Sequence, residues 1–219
     1  MQNIQLSPHF ELREFTESAT AREYGIVNEP PPEAVENLKA LCVNTLEPLR
    51  EALGLPIIIT SGYRCKALNE LITHHSTRSQ HRTGEAADFW VQGSKFKVQD
   101  QNLVQGSKFK VQDQNLVQGS KFKVQDQNLV QGSKFKVQDQ NLVQGSKFKV
   151  QGVSPRELLI RAFRTIITDP TVDYDQLIIY PTFIHVSYIS RERNRHKLTK
   201  GFGNGKYCAL SREEALMIC

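Results

Sequence analysis

A histidine and an aspartate lie seven residues apart in Ser79-Gln80-His81-Arg82-Thr83-Gly84-Glu85-Ala86-Ala87-Asp88, with a glycine between them. Imidazole nitrogen and carboxylate oxygen are donors that zinc accepts, and a catalytic zinc keeps three protein ligands with a fourth position open to water. The pair therefore reads as two-thirds of a metal site whose third ligand must come from elsewhere. Gly84 permits a sharp loop between the two residues, and Ala86 and Ala87 leave room for close packing around an ion. A plain loop histidine followed by an ordinary strand is the competing reading of the same residues.

Holding such residues in place requires neighbouring strands. Residues 85–91 alternate so that Ala86, Asp88 and Trp90 share one strand face and Ala87, Phe89 and Val91 the other. A carboxylate on a half-buried strand needs a partner for its charge, either a metal or an arginine. Residues 174–180 and 183–188 read as two strands of a hairpin joined through Pro181-Thr182. Phe183, His185 and Ser187 share a face of the second, so His185 can point into a cleft beside Asp88 if the strands are neighbours. It is the candidate third ligand. The β-branched run 56–60 reads as a buried strand that delivers Ser61-Gly62-Tyr63-Arg64. There a guanidinium could clamp a carboxylate bidentately, a surface arginine being the alternative. His74 and His75, adjacent in a loop, read as solvated.

Helical periodicity supplies the core. Val35, Leu38, Leu41, Cys42, Leu46, Leu49 and Leu53 recur at three- and four-residue steps between Pro30-Pro31-Pro32 and Gly54, and Pro48 predicts a kink or break near Thr45. Residues 6–15 predict one short helix, and residues 67–72 another. Ser154-Pro155-Arg156-Glu157 combines a serine cap, a first-turn proline and a glutamate three residues after the cap. Its apolar stripe runs from Leu158 to Ile167. Ser211 caps a last short helix. The charge run 191–197 reads as solvated surface, and residues 201–206 as a flexible, turn-rich link.

The 219 residues suit one or two domains, and the formal charge of +5 would suggest an anionic partner if it were spread over the chain. It is local. From Val91 a thirteen-residue unit, Val-Gln-Gly-Ser-Lys-Phe-Lys-Val-Gln-Asp-Gln-Asn-Leu, runs four times without a change, and a partial fifth copy ends at Gln151. These copies hold ten lysines against four aspartates, so the rest is close to neutral and no nucleic-acid partner is expected. Such identity marks residues 91–151 as an insertion, of extended or β character, in a discontinuous domain formed by residues 1–90 and 152–219. Lysines beside each phenylalanine would oppose edge-to-edge association. No apolar run of about 18 residues occurs, so no membrane span is expected. The four cysteines are far apart and read as free thiols. The first residues lack the basic-then-apolar pattern of a secretory signal. The expected location as synthesised is thus cytoplasmic.

Together, Ser61-Gly62-Tyr63-Arg64, the pattern Ser79-x-His81-x-x-Gly84-x-Ala86-x-Asp88 and Ile184-His185-Val186 resemble the zinc DD-peptidases. That family includes D-alanyl-D-alanine carboxypeptidases, vancomycin-resistance dipeptidases and phage endolysins, and shares its fold with the hedgehog signalling domain. The resemblance, nearest to the short phage and prophage branch, covers residues 6–90 and 152 to about 197. It implies an α+β fold, a small antiparallel sheet with helices packed on one side, interrupted by the repeats. It also implies zinc held by His81, Asp88 and His185, with Arg64 and Ser79 lining the substrate cleft. The implied activity is hydrolysis of D-alanine-containing peptidoglycan stem peptides by a zinc-activated water, the cell wall being reached on lysis if the protein is phage-derived. Many members carry Glu or Asp three residues before the last histidine, where this chain has Thr182. Glu85 falls on the opposite strand face from Asp88, and Asp175 lies ten residues before His185. Tyr180 could orient a water or stabilise an oxyanion, but a phenol titrating near 10 is a weak base. The catalytic base is therefore unassigned. The alternatives are a zinc-containing cell-wall binding module without turnover, or a role carried by the lysine-rich repeats as a scaffold or polyanion binder.

Overall fold

The computed structural model of the protein describes residues 4–72, 76–92, 118–119, 135–136 and 154–218. The N-terminal half runs β1 (Gln5–Ser7), β2 (Phe10–Glu11), α1 (Leu12–Thr16), α2 (Ala19–Glu23), α3 (Pro32–Leu41), α4 (Glu47–Leu53), β3 (Ile57–Ser61), α5 (Lys66–Leu71) and β4 (Ala86–Val91). There follow β5 (Gln118–Gly119), β6 (Phe135–Lys136), α6 (Pro155–Thr168), β7 (Gln176–Ile179), β8 (Ile184–Ser187), β9 (Lys197–Gly201), β10 (Tyr207–Ala209) and α7 (Arg212–Leu216). The chain divides into two compact units, residues 1–92 with 154–219 and residues 93–153. In the second, β5 pairs antiparallel with β6, Gln118 opposite Lys136. The expectations for the other repeat residues, and for His74 and His75, fall outside the described residues.

Proline placement shapes the helical layer. Pro32 opens α3, where a missing N–H costs nothing. Pro48 cannot donate to the Asn44 carbonyl one turn back. The helix answers with a π-helical turn, Cys42–Leu46, and the freed Asn44 carbonyl accepts the Asp173 backbone N–H at 3.0 Å. This is the break expected near Thr45. The single helix expected over residues 6–15 begins only at Leu12. Residues 5–11 form the β1–β2 hairpin instead, held by buried Glu47, whose carboxylate accepts from the Ser7 hydroxyl at 2.6 Å and pairs with the His9 ring. Burial pushes the Glu47 carboxyl up, but the bonds from Ser7 and His9 outweigh it and hold it below the usual range.

Six strands form the main sheet in the order β10-β9-β7-β8-β4-β3. The fold is α+β, as expected. The sheet is larger than expected and mixed, because β9 runs parallel to β7 while all other neighbours are antiparallel. Alternation sends Ala87, Phe89, Val91, Leu177, Ile179, Ile184 and Val186 into one core with Leu38, Leu46 and Leu49 of the N-terminal helical run and Leu158, Phe163 and Ile166 of α6. Helix α6 has the serine–glutamate capping box read from the sequence. The other sheet face carries Asp88, His185 and Ile178. Register places these three in a row, Asp88 opposite His185 and His185 opposite Ile178.

Candidate metal centre

His81 sits in a 3-10 turn, Gln80–Thr83, that ends at Gly84. Gly84 has φ of +75°, and a Cβ there would overlap the Ala34 carbonyl of α3, so only glycine fits. Gly62 is equally constrained, since a Cβ would fall on Phe15 of α1. Close approach lets the end of β3 grip His81 from two sides. The His81 ring donates from Nδ1 to the Gly62 carbonyl at 2.7 Å, and the Arg64 backbone N–H donates to the His81 carbonyl at 3.0 Å. A carbonyl can only accept, so Nδ1 carries the proton and Nε2 presents a lone pair. Asn28 fixes the gripping loop, donating to the Tyr63 carbonyl and accepting from the Cys65 N–H.

That Nε2 faces Asp88 and His185. His185 Nδ1 lies 2.8 Å from Asp88 Oδ1 and 3.2 Å from His81 Nε2, and His81 Nε2 lies 3.4 Å from Asp88 Oδ1. Ligands on a tetrahedral zinc with bonds of about 2.0–2.1 Å stand about 3.3 Å apart. The three atoms are already at that spacing, on a buried turn and two central strands, and their donor set suits a borderline cation. Among the described residues this is the one cluster of its kind. His81 is 2 % exposed, and its burial lowers the ring's proton affinity against the pull of Asp88, favouring the neutral ring a metal requires. Burial opposes ionisation of Asp88, but His81 and His185 outweigh it and hold the carboxyl far below its usual range.

A cleft of about 430 Å³ opens over these atoms, and Arg64 and Ser79 both line it. Burial lowers the Arg64 guanidinium, an effect Asp88 and Tyr180 only partly offset, and its Nε is buried without a partner among the described residues. Thr182 is exposed and does not line the cleft. Neither Glu85 nor Asp175 lines it. Asp88 is the one carboxylate among the described lining residues.

Sequence reasoning missed the opposite wall. Residues 201–206 are not a loose link but the turn of the β9–β10 hairpin, and Gly203, Gly205 and Tyr207 face the cleft. Tyr180 lies against this hairpin, its hydroxyl donating to that of Tyr207 at 3.2 Å. Burial and the Tyr207 contact push the Tyr180 phenol up, so it stays protonated at neutral pH. Nor is the run 191–197 merely solvated, since Arg195 pairs with buried Asp175 and His196 with Asp173.

The profile of the Peptidase M15 family matches residues 8–117, half of the chain. The chain belongs to the M15 peptidases. The matched stretch contains His81 and Asp88, while His185 is brought to them by strand pairing outside it. M15 peptidases are zinc-dependent, and the triad is the group that could hold the ion in this member. No curated protein and no solved structure matches this M15 chain.

Proposed function

We propose that the protein is a zinc-dependent peptidase acting on D-alanine-containing peptides of peptidoglycan, with His81, Asp88 and His185 as the zinc ligands. The observation that carries the reading is the mutual spacing of three ligand atoms, 2.8, 3.2 and 3.4 Å, at the floor of an open cleft. Bound there, zinc would polarise the scissile carbonyl and make a water nucleophilic near neutral pH. The protein's own contribution is placement. Gly62 fixes the His81 tautomer, the β4–β8 register sets Asp88 against His185, and Arg64, which lines the cleft, would offer its guanidinium to a peptide carboxylate or carbonyl. Ser79, which lines the same cleft, would contact the same peptide.

A second reading follows from the cleft's chemistry, because no carboxylate besides Asp88 lines it among the described residues. On that reading zinc is retained and the protein binds cell-wall peptide without turning it over. A zymogram on purified peptidoglycan with and without chelator separates the two. Clearing that chelator abolishes and zinc restores supports the peptidase. Absent or chelator-insensitive clearing, with peptide binding retained, supports the binding module.

A further inference from the structure

Amide hydrolysis forms a C–O bond from water and breaks the C–N bond, and the water's proton ends on the departing amine. Negative charge gathers on the carbonyl oxygen on the way, and donors fixed in advance near that oxygen stabilise the transition state more than the substrate. Beside Arg64, the cleft offers one such donor held from several directions. The Tyr180 ring stacks on Phe183, 4.3 Å between centroids at 16°. The ring also packs against Gly201, where a Cβ would overlap it. Arg156 Nη1 at the start of α6 donates to the Tyr180 carbonyl at 2.9 Å, and the Tyr180 N–H donates to the Phe183 carbonyl at 3.0 Å. The hydroxyl lies 3.2 Å from that of Tyr207, and both side chains line the cleft with Asp88 and His185. The Tyr180 N–H bond also closes the β7–β8 hairpin, and the common effect of these restraints is to fix one phenol in the cleft that the three ligand residues line.

We infer that Tyr180 is a catalytic residue, its hydroxyl donating to the scissile carbonyl oxygen as charge develops there, and that Tyr207 is a positioning residue for that hydroxyl. A phenol is both donor and acceptor, so Tyr180 can turn its proton to the substrate and accept from Tyr207 in exchange. The inference rests on the peptidase reading above.

The test uses the full zinc-loaded chain, Tyr180→Phe and Tyr207→Phe, with zinc content and circular dichroism confirming intact sites. Calorimetry compares a phosphinate analogue of D-alanyl-D-alanine, tetrahedral at the reacting centre, with D-alanine as product, and kinetics use a peptide ending in D-alanyl-D-alanine. Tyr180→Phe should weaken phosphinate binding and lower kcat by about 100-fold while KM and D-alanine affinity stay within about twofold, the pattern of a lost oxyanion donor. Tyr207→Phe should show a smaller loss of the same pattern. Unchanged phosphinate affinity in Tyr180→Phe, or a raised KM with kcat preserved, overturns the inference but leaves the peptidase reading standing. Wild-type protein that holds zinc yet neither binds the phosphinate nor hydrolyses peptide overturns both.

Discussion

Asp175 is fully buried and grips Arg195 at two points, Nε to Oδ1 at 2.8 Å and Nη2 to Oδ2 at 2.5 Å. The same carboxylate accepts from Gln80 Nε2 at 2.9 Å, the Arg195 backbone N–H at 3.0 Å and the Ser187 hydroxyl at 3.3 Å. Gln80 precedes His81, and Ser187 lies two residues beyond His185 on β8. One carboxylate thus ties the turn and the strand that carry the two histidines, and it does so from outside the cleft.

Removing it should loosen both. Asp175→Ala should cost about 2–3 kcal/mol, the scale of one or two charge-assisted hydrogen bonds, since Arg195 keeps much of its surface in water and is not left as a buried charge. Urea unfolding measures this. Burial raises the Asp175 carboxyl, but Arg195 and Gln80 outweigh it and hold it below its usual range. A lowered folded-state value gives stability that is complete above the unfolded value near 3.9 and disappears as pH falls through the folded one. The gap between wild type and Asp175→Asn should therefore be widest at neutral pH and close in acid. A gap that stays constant into strong acid would show that Asp175 is not ionised in the fold.

Zinc content tests the triad directly. His81→Ala and His185→Ala should each abolish stoichiometric zinc by elemental analysis. His196→Ala should keep it, because that ring pairs with Asp173. Equal zinc in all three variants would refute the ligand assignment.

Gly84 makes the prediction with the clearest steric cause. Alanine there must adopt φ near +75° and push its Cβ onto the Ala34 carbonyl. A non-glycine residue in that region costs about 1–3 kcal/mol before any clash is counted. Gly84→Ala should lower stability by at least that much and weaken zinc retention, because the turn carrying His81 must shift. Gly25→Ala has the same sign of φ with open space around it and should cost only the conformational term, with zinc unaffected. Chemical denaturation of the two variants separates strain from clash.

What could be read from the chain follows the range of each interaction. His81 and Asp88 carry their meaning in residue type and local spacing, and strand alternation placed His185 and Asp88 on faces that could meet. Their meeting depends on the β4–β8 register, a contact across 97 residues that no local pattern encodes. Position alone makes Asp175 a poor candidate for the base, but its structural role is hidden in the sequence because its partner, Arg195, sits in a charge run that looks like ordinary surface. Tyr207 and the parallel pairing of β9 were missed for a related reason. Lys197–Gly201 has one strongly apolar side chain, Leu198, so its strand character comes from pairing with β7 rather than from its own sequence.

The repeats pose the last test, through the proposal that they are an insertion the zinc domain does not need. On one side, β4 ends with the Gln92 N–H donating to the Pro56 carbonyl at 2.9 Å, a contact that closes the β3–β4 ladder. On the other, α6 starts from its own box, Ser154 Oγ accepting from the Glu157 N–H at 3.1 Å and Glu157 Oε2 from the Ser154 N–H at 2.6 Å. Each boundary is finished by residues of the first compact unit. Replacing residues 93–153 with a short Gly-Ser linker should therefore leave zinc stoichiometry unchanged and the unfolding midpoint close to wild type. Closing a shorter loop favours the fold slightly, by about 0.6 kcal/mol per halving of length. A deletion protein that unfolds, or folds but no longer holds zinc, would show that the repeats contribute to the domain and would overturn the proposal.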